Sequence, residues 1–234
     1  NPLPEIRQRF QRVLDEDKAL SRDLESLRDE PCVTLDGKRT PLWVNTGLMI
    51  DVTRSLEQGA EGVGLYRTEV PFLLRDRFPS EEEQRQIYRE QLEAFAPRSV
   101  TMRTLDIGGD KPVRGLTPEG EANPFLGLRG VRLTLARPDV FRTQLRALAR
   151  AAAHGDLKVM IPMVSIPAEL AQVAALLDAV MEDLLHDGVA LVGDFELETV
   201  GIAAEQRGQR PVAWAAFDQR GDHGLDPIHL PIVG

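Results

Sequence analysis

Short apolar segments typical of strands alternate with helical patterns along most of this chain, and this alternation constrains the fold more than any other feature. Four strands are predicted, at 42–44, 62–66, 99–105 and 157–163. Amphipathic helical patterns separate them. Strands joined through helices pair in parallel with right-handed crossovers, so we predict an α/β protein, either an open doubly wound sheet or a barrel.

The predicted helices between these strands carry start signals. Ser80 and Glu83 have the spacing of a capping box, in which each residue satisfies a backbone N–H of the other. Pro138 and Pro167 stand where two further helical patterns begin, and proline is favoured in the first turn of a helix. Beyond Leu191 glycines and prolines recur, and we expect irregular structure there.

The first residues predict a long helix. Apolar residues from Ile6 onward recur at alternating spacings of four and three, with Asp17 at the one missing position. Two interpretations stay open: the helix packs on a partner helix, or it lies on the surface of its own domain. We therefore expect a linker helix and turn at 1–38, a partial α/β domain at 39–190 and an atypical tail at 191–234.

Charge and cysteine content exclude several classes of function. The net charge is -9, with 37 acidic and 28 basic residues, so nucleic acid is not an expected partner. The sequence contains no apolar stretch of roughly 20 residues, which argues against a membrane segment and for a cytoplasmic protein. A single cysteine, Cys32, excludes an internal disulfide and a multi-cysteine metal site.

Two predicted strands have an arginine at their carboxyl end: Arg67 directly follows 62–66, and Arg103 lies near the end of 99–105. Function in α/β barrels sits where strands end, and a guanidinium group matches a carboxylate or phosphate through paired hydrogen bonds. The pair is therefore a candidate anion site, although a typical arginine is a solvated surface residue. Asp106 and Asp110 are candidates for orienting the arginines. A third feature, Asn123 with its neighbouring proline and glycine, reads either as part of the site or as a rigid loop.

A family resemblance rests on five segments in order. They are GVGLYRTE at 62–69, PSEEEQ at 79–84, RTLDIGGDK at 103–111, NPFLGLRG at 123–130 and IPM at 161–163. Together they resemble the phosphoenolpyruvate-binding domain of enzyme I of the bacterial phosphotransferase system, with the nitrogen-related enzyme I most similar.

The resemblance implies a TIM-type (β/α) barrel, here about its first four to five βα units. It also implies Mg²⁺-dependent transfer of phosphate from phosphoenolpyruvate to a histidine of the enzyme and then to a histidine-containing carrier protein, in a homodimer. By motif, Arg67, Arg103, Asn123 and Arg129 are implied to bind the substrate, and Glu198 is a weak match to a family metal ligand.

Other family motifs are absent from the sequence. The family's motif with an aspartate, its later arginine and its cysteine that acts as an acid have no counterpart here. None of His154, His186, His223 and His229 lies in a sequence context like that of the family's phosphorylated histidine. We therefore expect a truncated or altered chain that does not complete the reaction alone. Two alternatives stay open: a relative of pyruvate phosphate dikinase or phosphoenolpyruvate synthase, and a non-catalytic remnant.

Overall fold

A computed structural model describes residues 3–25, 27–48, 50–73, 77–108, 116, 121–191, 195–200 and 212–213, the last two ranges by their backbone alone. Its centre is one β-sheet with strands in sequence order. The strands are β1 (Trp43–Thr46), β2 (Gly62–Arg67), β3 (Val100–Arg103), β4 (Leu157–Pro162), β5 (Phe195–Val200) and β6 (Val212–Ala213).

Strands β1 to β5 run parallel to one another, and β6 is antiparallel to β5. The four predicted strands are thus confirmed as parallel and adjacent, and each predicted bound lies within two residues of the observed one. The sheet and its crossovers make this an α/β protein, consistent with part of a barrel.

The expectation of irregular structure beyond Leu191 is wrong for the segment that forms β5. All six of its residues align with β4, from Leu157 opposite Phe195 to Pro162 opposite Val200. The glycines and prolines that suggested a loop come later in the chain, whereas 195–200 alternates apolar and acidic residues before ending in Thr199 and Val200. That short alternation is typical of a strand.

One helix precedes β1, and the others connect β1 to β5. The helices are α1 (Pro4–Glu25), α2 (Ile50–Glu57), α3 (Val70–Leu73), α4 (Glu81–Phe95), α5 (Val131–Ala136), α6 (Pro138–Ala151) and α7 (Pro167–His186), with a 3₁₀ turn at Ala152–His154. The long helix predicted at the N-terminus is present, and its described side chains up to Ala19 are exposed. No helix within the described ranges is long and apolar enough to cross a membrane.

The main core lies between one face of the sheet and the helices α4, α6 and α7. Buried residues of the strands, such as Tyr66, Met102 and Val159, pack against buried residues of these helices, such as Phe141 and Val180. Each of the five is at most 1% exposed. The apolar periodicity of the three helices therefore determines which face of the sheet is covered.

A shift of register in β2 determines what the opposite face of the sheet presents. The pairing between β2 and β3 is irregular between Val63 and Tyr66, so both of these residues lie on the core face. Successive strand residues alternate between faces, and Arg67 consequently falls on the face opposite Tyr66. Its pairing partner Arg103 lies on that same face, opposite Met102.

The capping box predicted at the start of α4 is confirmed. Ser80 Oγ accepts a hydrogen bond from the Glu83 amide at 3.3 Å, and the Glu83 carboxylate accepts one from the Ser80 amide at 2.9 Å. Arg77 donates two hydrogen bonds to the same carboxylate, at 2.7 and 2.8 Å. The hydrogen bonds from Arg77 and then the Ser80 backbone lower the pKa of Glu83 from its ordinary value of 4.5 to about 2.

We predict that Glu83→Gln destabilises the fold at neutral pH and that this difference disappears in acid. A carboxyl group whose pKa is lower in the folded state stabilises the fold fully above its unfolded pKa. That contribution decreases as the pH falls from about 4.5 toward about 2. Urea unfolding at several pH values measures the difference. Glu57→Gln, near the end of α2, is the control. A difference for Glu83→Gln that stays constant in acid would contradict the prediction.

Candidate functional site

The two strand-end arginines lie side by side. Arg67 is the last residue of β2, Arg103 is the last residue of β3, and they are direct pairing partners in the parallel ladder. Neighbouring strands are about 4.8 Å apart, so the backbones of the two arginines are adjacent at the strand ends. The structure therefore brings together the two residues that the sequence singled out.

The same register level continues across the sheet. Arg103 is opposite Met160 of β4, and Met160 is opposite Glu198 of β5. The backbone of Glu198 thus lies at the level of both arginines, two strands beyond Arg103. The side chain of Glu198 is outside the described part of the structure.

Two buried carboxylates hold the Arg103 guanidinium group. Its Nη2 contacts Glu69 Oε1 at 2.5 Å, and its Nη1 contacts Asp106 Oδ2 at 2.9 Å. The side chains of Glu69 and Asp106 are 1% and 5% exposed, and that of Arg103 is 15% exposed. Buried charges are stable only when paired and hydrogen-bonded. Contact at two separate nitrogens also fixes the orientation of the planar guanidinium group.

Asp106 connects Arg103 to a third arginine. Its Oδ1 accepts a hydrogen bond from Arg129 Nε at 3.0 Å, while Oδ2 contacts Arg103. The Arg129 guanidinium also lies over the Phe125 ring, 5.4 Å from the ring centroid. Arg129 is therefore linked to Arg103 through the Asp106 carboxylate that both arginines contact.

Close backbone packing brings Arg129 to this place. Gly108 has φ +117°, and a side chain there would meet Leu128 O at 2.9 Å and Arg129 Cβ at 3.1 Å. The Gly130 amide donates to Ile107 O at 3.4 Å. The segment after β3 and the segment before α5 thus approach each other more closely than a Cβ atom at Gly108 would allow.

The remaining predicted site residues are placed differently. Asn123 is exposed and takes part in a turn, where its carbonyl accepts from the Leu126 amide at 3.1 Å. Glu121 secures that turn by accepting from the Leu128 amide at 2.8 Å. No contact recorded for the described residues joins Asn123 to the arginines. Asp110, suggested as an orienting residue, lies outside the described residues.

Arg67 is the most accessible group of the site. Its side chain is exposed, and among the described residues it forms no ion pair and no hydrogen bond. Arg103 Nε, by contrast, is buried and has no acceptor among the described residues. Buried N–H groups are nearly always hydrogen-bonded, so this donor marks a position for an acceptor from elsewhere.

Charge in the described cluster favours an anion. Three guanidinium groups, of Arg67, Arg103 and Arg129, stand against the two carboxylates of Glu69 and Asp106, which leaves one net positive charge. The described residues contain no group of three metal-ligating side chains, and both carboxylates are already engaged by arginine. This donor set alone does not fit a magnesium ion, which prefers six oxygen ligands.

Sequence reasoning missed Glu69 as a site residue. The available signal was its place two positions after Arg67, directly past the end of a strand. An acidic residue there meets the next strand end, because the carboxyl ends of parallel strands meet at one edge of the sheet. Asp106 was proposed as an orienting residue, and the geometry confirms that role.

Comparison with known proteins identifies the family of this chain. Residues 21–226 match the family model described as PEP-utilising enzyme, PEP-binding domain. The chain belongs to this family.

Its relatives include proteins named phosphoenolpyruvate-protein phosphotransferase. One from Staphylococcus aureus is 46% identical over 184 residues, which is 79% of this chain and 32% of the relative. Others, from Staphylococcus carnosus (strain TM300) and Bacillus sp. (strain S), are each 43% identical over 205 residues, 88% of this chain and 35% of the relative.

The resemblance carried by the five motifs is therefore confirmed, and the two alternative functions are not favoured. The chain spans about a third of the length of these curated relatives, 32% to 35%. Membership of the family is consistent with a divalent-metal requirement.

We predict that Asp106→Asn destabilises the fold by about 3 kcal/mol, because it leaves two largely buried arginines without their shared counter-charge. Urea unfolding measures this loss. Asp139→Asn is the matched control, since Asp139 pairs with Arg137 at the surface. Surface pairs of that kind contribute about 0–1 kcal/mol. Equal losses in the two variants would contradict the role assigned to Asp106.

Proposed function

We propose that the strand-end arginines bind phosphoenolpyruvate, as part of a phosphotransferase that passes the phosphoryl group to a histidine of the enzyme and then to a histidine-containing carrier protein. One observation supports this above the others: Arg67 and Arg103 pair directly at the carboxyl ends of adjacent parallel strands. The family and the names of its relatives agree with it.

The two arginines have different roles in this proposal. The Arg103 guanidinium group has a fixed position and orientation, because Glu69 and Asp106 each contact one of its nitrogens. Arg67 is exposed and turns onto the incoming anion. A bidentate guanidinium contact orients a phosphate or carboxylate as well as neutralising it. Transfer of a phosphoryl group depends mainly on such positioning and on charge stabilisation.

Arg129 and Asn123 lie at different distances from Arg103 in the network of contacts: Arg129 shares a carboxylate with it, and Asn123 has no recorded contact with it among the described residues. Arg129 acts on the substrate position through Asp106, which it shares with Arg103. Asn123 lies in an exposed turn. Its proposed contact with substrate requires that this turn move toward the arginines when substrate binds.

A magnesium ion would neutralise charge on the transferring phosphate when bound. We propose Glu198 as a ligand, because its backbone lies at the register level of the arginines. Magnesium takes near-octahedral oxygen ligands and commonly keeps several waters and substrate oxygens. Its remaining protein ligands would come from residues outside the described ranges or from other parts of a longer protein.

We further propose that the parallel sheet is part of a TIM-type (β/α) barrel. In that arrangement 1–38 is a linker helix and turn, 39–190 forms the first βα units, and 191–234 is an atypical tail that contains β5. A closed barrel places all strand ends around one mouth, where the arginines then converge. The complete phosphotransferase is proposed to be a cytoplasmic homodimer.

The test is thermal unfolding of the chain with phosphoenolpyruvate and Mg²⁺. A ligand at a hundred times its dissociation constant stabilises a protein by about 2.7 kcal/mol. We expect phosphoenolpyruvate with Mg²⁺ to raise the melting temperature of the wild type. We expect this shift in melting temperature to be lost in Arg67→Ala. The unliganded Arg67→Ala protein should melt as the wild type does, since Arg67 has no partner among the described residues.

Arg98→Ala is the matched control for that experiment. Arg98 is also exposed and also adjoins β3, but at the opposite end of the strand from Arg103. It should retain the full shift. Equal shifts in Arg67→Ala and wild type, or no shift in the wild type, would contradict the proposed site.

A further inference from the structure

A buried glutamine on α6 joins the two strand ends that carry the arginines. Gln144 is 1% exposed. Its Oε1 accepts a hydrogen bond from the Leu105 amide at 2.9 Å, and its Nε2 donates to Thr68 Oγ1 and to Tyr88 Oη, both at 3.1 Å. One side chain thus contacts the residues just after β2, the residues just after β3, and helix α4.

The directions of these hydrogen bonds are consistent with one another. Thr68 Oγ1 donates its single hydrogen to Arg103 O at 2.7 Å, so toward Gln144 it acts as an acceptor. Tyr88 Oη likewise donates to Gln84 Oε1 at 3.2 Å and accepts from Gln144. A glutamine amide offers two donors and an acceptor, and all three functions are used here. A carboxylate or an apolar side chain could not satisfy this set.

The hydrogen bonds of Gln144 and Thr68 lie just past the end of the β2–β3 ladder. The ladder between β2 and β3 ends at Arg67 and Arg103. Beyond that point the backbone groups need other partners, and Thr68 and Gln144 supply them. The two strand ends are therefore held together by side chains where the sheet no longer holds them.

Each residue bonded by Gln144 at the strand ends directly precedes a carboxylate of the site. Glu69 follows Thr68, and Asp106 follows Leu105. These are the two carboxylates that hold Arg103 from opposite nitrogens. Their separation must match the width of a guanidinium group, and a displacement of about 1 Å is enough to impair a binding site of this type.

We propose that Gln144 is a positioning residue of the anion site: it fixes the spacing between the two strand ends and so holds Glu69 and Asp106 around Arg103. The inference deepens the proposed function and rests on it for the identity of the anion. Helix α6 does not reach the site, but through Gln144 it controls the geometry around Arg103.

The experiment compares two matched pairs of variants. Gln144→Leu removes the three hydrogen bonds at nearly constant volume, and Gln91→Leu is its control. Gln91 is a buried glutamine of α4, and among the described residues no hydrogen bond joins it to Gln144 or Thr68. Thr68→Val removes the bond to Arg103 O. Its control is Thr134→Val, also buried, whose hydroxyl donates to Val131 O within its own helix.

The first measurement needs no ligand. The side-chain Nε–H signal of Arg103, assigned by its loss in Arg103→Lys, reports the surroundings of that guanidinium group by ¹⁵N NMR. We expect it to shift or broaden in Gln144→Leu and Thr68→Val and to stay unchanged in both controls. If Gln144→Leu does not fold, Thr68→Val carries the same test.

The second measurement is the dissociation constant for phosphoenolpyruvate with Mg²⁺. We expect Gln144→Leu and Thr68→Val to weaken binding about tenfold relative to their controls, as loss of well-placed hydrogen bonds would. Lower melting temperatures with an unchanged Arg103 signal and unchanged affinity would overturn the inference and leave Gln144 a purely structural residue.

The two proposals fail in different ways. A wild-type chain that binds no phosphoenolpyruvate contradicts the proposed function. The Arg103 signal in the variants then still decides the positioning role, because that measurement is made without substrate.

Discussion

The register of the parallel ladder is the constraint on which the candidate site depends. Parallel strands that follow one another through helices end at the same edge of the sheet, and here the ladder places Arg67, Arg103, Met160 and Glu198 at one level. The irregular pairing in β2 also decides that Arg67 lies on the same face as Arg103. A regular strand from Val63 would have turned Arg67 toward the helices.

Concentrating arginines at a partly buried edge has an energetic cost, and the structure offsets it locally. Arg103 and Arg129 share Asp106, and Glu69 completes the pairing of Arg103. Paired in this way, the arginines are stable without ligand and their orientation is set beforehand. Arg67 is left accessible, and the described cluster keeps one net positive charge. The same arrangement therefore serves both folding and recognition of an anion.

Much of this could be predicted from the sequence. The strands, the capping box at Ser80 and the pairing of Arg67 with Arg103 follow from local patterns and from the rule that βα units place strand ends together. The strand at 195–200 was missed because the glycine-rich and proline-rich segment after it dominated the composition. Glu69 and Gln144 were missed because their roles depend on contacts 34 and 39 residues away in the chain.

The sequence by itself determined the alternation of elements, the family motifs and the residue types available at each strand end, because these depend on short-range periodicity and turn chemistry. Tertiary structure decided which carboxylate faces which guanidinium group, how far Asn123 lies from the arginines, and that a glutamine of α6 bonds to two strand ends. Such contacts are set by packing distance and by the need to satisfy every buried polar group. Neither quantity can be read from the order of residues, since both arise only when distant segments are brought together.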